Sequence, residues 1–220
     1  MIKKYKHIIW DWNGTLFNDA ELCHNIINGL LKRNGIEEIS FQRYKDIFDF
    51  PVKEYYKKAG LDFNKTSFEI LGKEFMDEYE ERKFESAIFS DVKDILGSVQ
   101  KIGLTQSLLS AYQHDSLIAI INHFGLKDYF TGLNGLGDIY AASKVDAGKK
   151  WIKESGYKKG EVVLIGDTIH DFEVAGEIGA DCILVSNGHQ SKERLLKCRV
   201  PVFDNLHQLK KELFNSIKQV

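Results

Sequence analysis

Cysteine, proline, long apolar runs and blocks of like charge are all scarce in this chain. Its 220 residues include three cysteines and two prolines. Cys23, Cys182 and Cys198 are far apart, and no pair has metal-ligand spacing. Reduced thiols in a cytoplasmic protein are the expectation. No apolar run approaches the roughly 20 residues needed to cross a bilayer. The basic N-terminus carries only about three apolar residues before Asp11, too few for a signal peptide. Net charge is −2 with no long run of one sign. A nucleic-acid footprint is therefore not suggested, and neither a nucleic-acid nor a membrane partner is expected. Neither repeats nor low-complexity segments occur. What remains is ordinary globular material, 43% hydrophobic and 28% charged. That length and composition allow one or two domains with a sizeable core.

The hydrophobic pattern changes twice along the chain. Lys4 to Asp11 reads as a strand. From about Asn18 to about Ala87 the spacing is helical. Leu22, Ile26, Ile27, Leu30 and Leu31 share one face, and Gly35 is a stop. Shorter helices are expected over Phe41 to Phe48 and Val52 to Lys58, separated by the Asp49-Phe50-Pro51 turn. Phe68, Leu71, Phe75 and Tyr79 mark a longer one. Beyond this segment strands and helices alternate. Asp91 is placed to cap a helix through Val92, Ile95, Leu96 and Val99. Gln106 to Ser110 reads as a strand, and a helix opens at His114. A weak strand spans Phe130 to Leu136, and a helix runs from Val145 to Ser155. Val162 to Ile165 is an unbroken apolar strand, followed by a helix from Asp171 to Ile178. Cys182 to Val185 and Val202-Phe203 read as further strands. Leu206, Leu209, Leu213 and Ile217 trace a C-terminal helix. Alternation of this kind predicts an α/β fold, a doubly wound parallel sheet with helices on both faces.

Two strands end in the same unusual way. Ile8-Ile9-Trp10 runs straight into Asp11, with Gly14 permitting a tight turn beside it. Val162 to Gly166 runs into Asp167, with Asp171 four residues on. A strand end followed by a helix N-cap accounts for Asp171 but not for Asp167. Ligands of open α/β sheets bind beyond the carboxyl ends of strands. Two such tips can aim oxygen donors at one point, and hard oxygen donors suit Mg²⁺.

Asp11-Trp12-Asn13-Gly14-Thr15-Leu16 resembles the first motif of the haloacid dehalogenase superfamily, whose phosphatases usually read Asp-x-Asp-Gly-Thr. Gly166-Asp167-Thr168-Ile169-His170-Asp171 resembles its fourth motif. Leu108-Leu109-Ser110 looks like the second motif and Lys144 like the third-motif lysine. These last two carry weight only through their order and spacing with the others. The stretch Asn122 to Phe130 looks like the linker of the phosphoglycolate phosphatase-like branch. The resemblance covers nearly the whole chain and implies a Rossmann-like core, 1–17 and 88–220, with an inserted helical cap domain, 18–87. It implies a Mg²⁺-dependent phosphomonoester hydrolase acting on a small phosphorylated metabolite. Asp11 is then the nucleophile that becomes an aspartyl-phosphate. Asp11, Asp167, Asp171 and the Asn13 carbonyl hold the metal. Gly14, Thr15, Ser110, Ala111 and Lys144 meet the phosphate.

Asn13 is the departure from the pattern. The family residue there protonates the leaving group and later activates water, and an amide does neither. Losing a general acid costs a factor of roughly 10²–10⁴. Several readings stay open. The leaving group needs little protonation, or His170 or His114 replaces the acid. The chain is dehalogenase-like, against which the Asp167 and Asp171 pair counts, because dehalogenases need no metal. The Asn is an engineered substitution. Or the protein is a weak or silent phosphate- or partner-binding relative. Within the cap, Phe50, Pro51, Arg43 and Lys53 sit in or near a turn that could face the site, with the two basic residues more in keeping with solvated surface. Tyr55-Tyr56 and Phe68 with Phe75 read as cap core. Hinges are expected near Phe17-Asn18 and Ala87-Ser90.

Overall fold

The computed structural model describes residues 2–137 and 144–215. Ile217, the last position of the C-terminal stripe, lies outside them. A first strand, β1 (His7–Trp10), is followed by a two-residue strand, β2 (Phe17–Asn18). Four helices come next: α1 (Ala20–Arg33), α2 (Phe41–Ile47), α3 (Val52–Ala59) and α4 (Phe68–Arg82). The chain returns through β3 (Ala87–Ile88), α5 (Val92–Lys101), β4 (Thr105–Gln113), α6 (His114–His123) and β5 (Gly132–Leu136). It continues with α7 (Val145–Ser155), β6 (Val162–Gly166), α8 (Ile169–Ile178) and β7 (Asp181–Val185). It closes with α9 (Lys192–Leu195), β8 (Val202–Phe203) and α10 (Leu206–Asn215).

Six strands form one parallel sheet in the order β5-β4-β1-β6-β7-β8. The chain builds outward from β1 to β4 and β5, then recrosses to β6 on the other side. The β1–β6 boundary is therefore the topological switch point, where open α/β sheets bind ligands. All four β1 residues are buried, because helices cover both sheet faces. Burying Ile8, Ile9 and Trp10 contributes roughly 1.5–3 kcal/mol per side chain. Register sets the strand tips: Trp10 lies opposite Ile165 in β6 and Leu108 in β4. Asp11 then donates its N–H to the Ile165 carbonyl at 2.9 Å. No helix among the described residues is long and apolar enough to cross a membrane.

Several boundaries differ from the sequence reading. β1 begins at His7 rather than Lys4, because Ile2–Lys4 coils into a 3-10 turn closed by Tyr5 N–H on the Ile2 carbonyl. β4 runs on past Ser110 to Gln113, with an irregular register against β5 after Leu109. Asp91 sits at the start of α5, but its side chain accepts no helix N–H. The cap of α8 is Thr168, not Asp171; Asp171 is the third residue of a reciprocal capping box. Phe17-Asn18, and Ala87-Ile88 within the expected Ala87-Ser90 hinge, pair as the antiparallel ribbon β2–β3. The Gly35 stop holds: α1 ends at Arg33 and Gly35 is left-handed, as are Gly60 after α3 and Gly156 after α7.

α1 to α4 pack through an aromatic interior. Tyr44, Tyr55, Tyr56 and Tyr79 are buried, and Tyr56 meets Phe68 edge-on at 5.6 Å. This group also grips the sheet layer. Lys45 Nζ donates to the Ser186 carbonyl at 3.0 Å, and Gln190 Nε2 to the Phe48 carbonyl at 2.9 Å. Arg194 pairs with Asp49 at 3.0 Å.

His7 makes the fold sensitive to acid. Its ring is buried at the start of β1, with Nδ1 2.7 Å from Thr105 Oγ1 and Nε2 2.8 Å from Ser107 Oγ. Burial pushes its pKa down from 6.5 to about 4. The unfolded chain therefore binds a proton in that window which the folded chain does not. This contribution to stability is complete above pH 6.5 and is lost as pH falls through about 4, at most roughly 3 kcal/mol in all. Denaturant midpoints for wild type and His7→Gln at about pH 7.5 and about pH 4.5 check this. Wild type should lose more than the variant on acidification, and equal losses would contradict it.

Candidate active site

The tips of β1 and β6 bring Asp11, Asp167 and Asp171 together, all three buried. One carboxylate oxygen from each lies within 4.8 Å of the others. Asp11 and Asp167 leave their strands directly. Asp171 stands on the first turn of α8. Its Oδ2 accepts the N–H groups of Asp167 and Thr168 and the Thr168 hydroxyl, the last at 2.6 Å. The Thr15 hydroxyl bridges Asp11 and Asp167, 3.0 Å from one and 2.9 Å from the other.

Lys144 enters this group from the start of α7. Its ammonium lies 2.6 Å from Asp11 Oδ1 and 2.5 Å from Asp171 Oδ1, and it donates to the Leu109 carbonyl at 3.3 Å. Burial pushes the Asp11 carboxyl up to about 8 against the pull of Lys144. It likewise raises Asp167 to about 6, against the pull of His189. Burial opposes ionisation of Asp171 too, but Lys144 and Thr168 outweigh it and hold this carboxyl below its usual range. The ammonium in turn titrates above the ordinary lysine range, because Asp11 and Asp171 outweigh its own burial.

Fully ionised, the three carboxylates would face one ammonium with an excess of two negative charges; burial resists this by holding Asp11 and Asp167 high, and a divalent cation would cancel it. The donors are all oxygen, as Mg²⁺ prefers. The backbone is cut back around them. A Cβ on Gly14 would lie 2.3 Å from Asp167 Oδ2, and one on Gly188 2.1 Å from the same atom. A Cβ on Gly166 would lie 2.2 Å from Asp171 Cγ. Charge, donor type and space all fit a divalent ion.

Ser110 and Ala111 line the same cavity as this cluster, whose volume is about 160 Å³. Ser110 Oγ accepts the Tyr112 N–H at 3.1 Å. The Gly14 N–H is engaged by Asp19 at 2.9 Å. Of the two histidines considered as acids, His170 lines the cavity and stacks on Phe50 at 4.7 Å, while His114 does not line it and accepts the Gly135 N–H. Arg43 and Lys53 do not line it either; Lys53 lies over the Phe63 and Phe68 rings. Phe50 does line it, as do Tyr55, Tyr56, Phe68 and Phe75, which the sequence presents only as core.

A second buried group went unread in the sequence. Asn13 Nδ2 donates to Asp19 Oδ2 at 2.7 Å and to the Tyr79 oxygen at 2.8 Å. Tyr79 also donates to Asp19, at 2.7 Å. His189 Nε2 lies 3.3 Å from Asp19 Oδ1, its Nδ1 is 2.7 Å from the Tyr44 hydroxyl, and its backbone N–H meets Asp167 at 2.6 Å. Burial would raise Asp19, but His189, Asn13 and Tyr79 together hold it below the usual carboxylate range. One signal was present: β7 is another apolar run ending in a polar glycine turn, Ser186-Asn187-Gly188-His189.

Residues 8–185 match the family described as haloacid dehalogenase-like hydrolase. The chain is 24% identical over 201 residues to a 5'-nucleotidase of Pseudomonas aeruginosa, covering 87% of each. It is 21% identical over 187 residues to a phosphoglycolate phosphatase of Rhodobacter capsulatus, covering 83% of this chain and 85% of that one. A solved haloacid dehalogenase-like hydrolase from Streptococcus pneumoniae superposes with a TM-score of 0.82 at 16% identity, covering 97% and 99% of the two chains.

Gly188 should tolerate no side chain. Gly188→Ala is expected to cost about 1–3 kcal/mol, because the new methyl displaces Asp167 or the Gly14 carbonyl. Gly176→Ala in α8, where a Cβ meets nothing within 4 Å, should be neutral or stabilising by up to about 1 kcal/mol. Chemical denaturation of both variants distinguishes them, and a harmless Gly188→Ala would refute the crowding argument.

Proposed function

The chain belongs to the haloacid dehalogenase-like hydrolases, and from that membership we propose a Mg²⁺-dependent phosphomonoester hydrolase acting on a small phosphorylated metabolite through an aspartyl-phosphate. The observation that carries this reading is the meeting of Asp11, Asp167, Asp171 and Lys144 at the sheet's switch point. Its phosphatase relatives support the same reaction class.

Asp11, Asp167, Asp171 and the Asn13 carbonyl would hold the metal. When bound, Mg²⁺ screens the negative charge between a carboxylate nucleophile and a phosphate. Asp11 attacks phosphorus, and the ester oxygen leaves. Lys144 fixes the attacking carboxylate and balances its charge. Ser110, beside it on β4, donates to a phosphate oxygen. Water then attacks the acyl phosphate at phosphorus, freeing Asp11 and inorganic phosphate. Residues 18–87 act as the cap, closing aromatic side chains over the site and excluding bulk water during the first step.

Asn13 supports a second reading, a phosphate-binding protein with little turnover. Both hydrogens of its amide are engaged by Asp19 and Tyr79, so it donates nothing to a leaving group. Turnover of a panel of phosphate esters, with Mg²⁺ and with EDTA, separates the readings. Activity that disappears in EDTA and in Asp11→Asn supports the hydrolase. Asn13→Asp should then raise turnover of alkyl esters by about 10²–10⁴-fold. No turnover anywhere in the panel supports the binder.

A further inference from the structure

The cavity above Asp11 has two walls of opposite character. Its floor carries Asp11, Asp167, Asp171, Ser110 and Lys144. Its roof, from α2 to α4 and the turn between α2 and α3, presents Phe48, Phe50, Tyr55, Phe75, Met76 and Tyr79. Among the described lining residues Lys144 is the one Lys or Arg, and its ammonium already lies against Asp11 and Asp171. His189 faces Asp19, and the His170 ring is stacked on Phe50. Arg194, close by, is engaged by Asp49 and the Phe48 carbonyl.

This roof discriminates between leaving groups. A carboxylate beneath it would lose its water and find no free Lys or Arg among the described residues, a cost of several kcal/mol. A flat ring would instead meet aromatic faces and edges. The cavity, about 160 Å³ with its polar floor included, leaves room only for a small leaving group beside the phosphate.

An independent observation concerns the departing oxygen. Asn13 cannot protonate it, and its amide hydrogens point to Asp19 and Tyr79. An oxygen that leaves unprotonated leaves more easily from a weaker base. A phenol has a pKa of about 10, whereas an alkanol is a far weaker acid, close to water itself.

We infer that the substrate is a small aryl phosphate monoester, its phosphate over Asp11 and its single ring under Phe50, Phe75 and Tyr79. This deepens the phosphatase reading and rests on it. In the first step an Asp11 oxygen bonds to phosphorus as the phosphorus–aryl oxygen bond breaks, and the electron pair leaves on a phenolate. Water then bonds to phosphorus as the Asp11–phosphorus bond breaks. One proton of that water ends on the phenolate, and no redox partner is needed.

The test compares kcat/KM, with Mg²⁺, for substituted phenyl phosphates, benzyl phosphate and 2-phosphoglycolate. Phenyl phosphate should exceed benzyl phosphate by at least about 10²-fold, and rates should fall steeply with rising leaving-group pKa. In Asn13→Asp that gap should narrow. Phenylphosphonate, which cannot be hydrolysed, should bind at least about tenfold tighter than phosphonoacetate by calorimetry. Phe75→Leu should raise KM for phenyl phosphate and leave kcat nearly unchanged. Equal turnover of benzyl and phenyl phosphates, or preference for 2-phosphoglycolate, overturns the inference while the phosphatase reading stands. No turnover of any ester overturns both.

Discussion

One buried ammonium set among three buried carboxylates is the constraint on which this site depends. Charges removed from water are costly, and an ion pair offsets that cost only when its geometry is close. Lys144 meets that condition with Asp11 and Asp171, but it leaves Asp167 without a cation of its own. The fold meets this need with fixed dipoles and space. The His189 N–H and the Thr15 hydroxyl turn toward Asp167, and Gly14 and Gly188 withhold the side chains that would crowd it. What is left is a concentration of negative charge with room around it, a setting suited to a divalent ion and a phosphate.

The second buried network joins that centre to the helices above it. Asp19 leads out of β2 into α1 and receives Asn13, Gly14 and Tyr79, while His189 spans from Asp19 to Tyr44. Tyr44 and Tyr79 belong to α2 and α4, so the helical segment and the sheet share hydrogen bonds at the carboxyl ends of the strands. Buried polar networks of this kind are costly when half-made. Opening the segment away from the sheet would leave Asp19 and His189 short of partners. The loop after β1 and helices α2 and α4 are therefore held by one hydrogen-bond network. Asn13 takes part in this network as an amide donor to Asp19 and Tyr79.

The sequence showed the parts of this structure that repeat or that break a pattern. Strand tips were legible because an apolar run that ends in Asp is unusual, and the end of α1 because a left-handed residue calls for Gly, here Gly35. The β2–β3 ribbon was not legible, since two-residue strands have no period to detect. The start of α8 was read at Asp171, because Thr168 and Asp171 both fit a cap and only backbone geometry distinguishes them. Asp19 and His189 lie 170 residues apart in the chain, and no local pattern connects them. The aromatic residues of α3 and α4 were read as core. They are core, yet they also face the cavity, and periodicity does not separate those two roles.

The most direct test of the central claim is calorimetric titration of Mg²⁺ into the protein, without substrate. One ion should bind per chain, and Asp11→Asn and Asp167→Asn should each abolish or strongly weaken binding while the chain stays folded by circular dichroism. If wild type bound no Mg²⁺, or bound it undiminished in both variants, the convergence of the two strand tips would not be a metal centre.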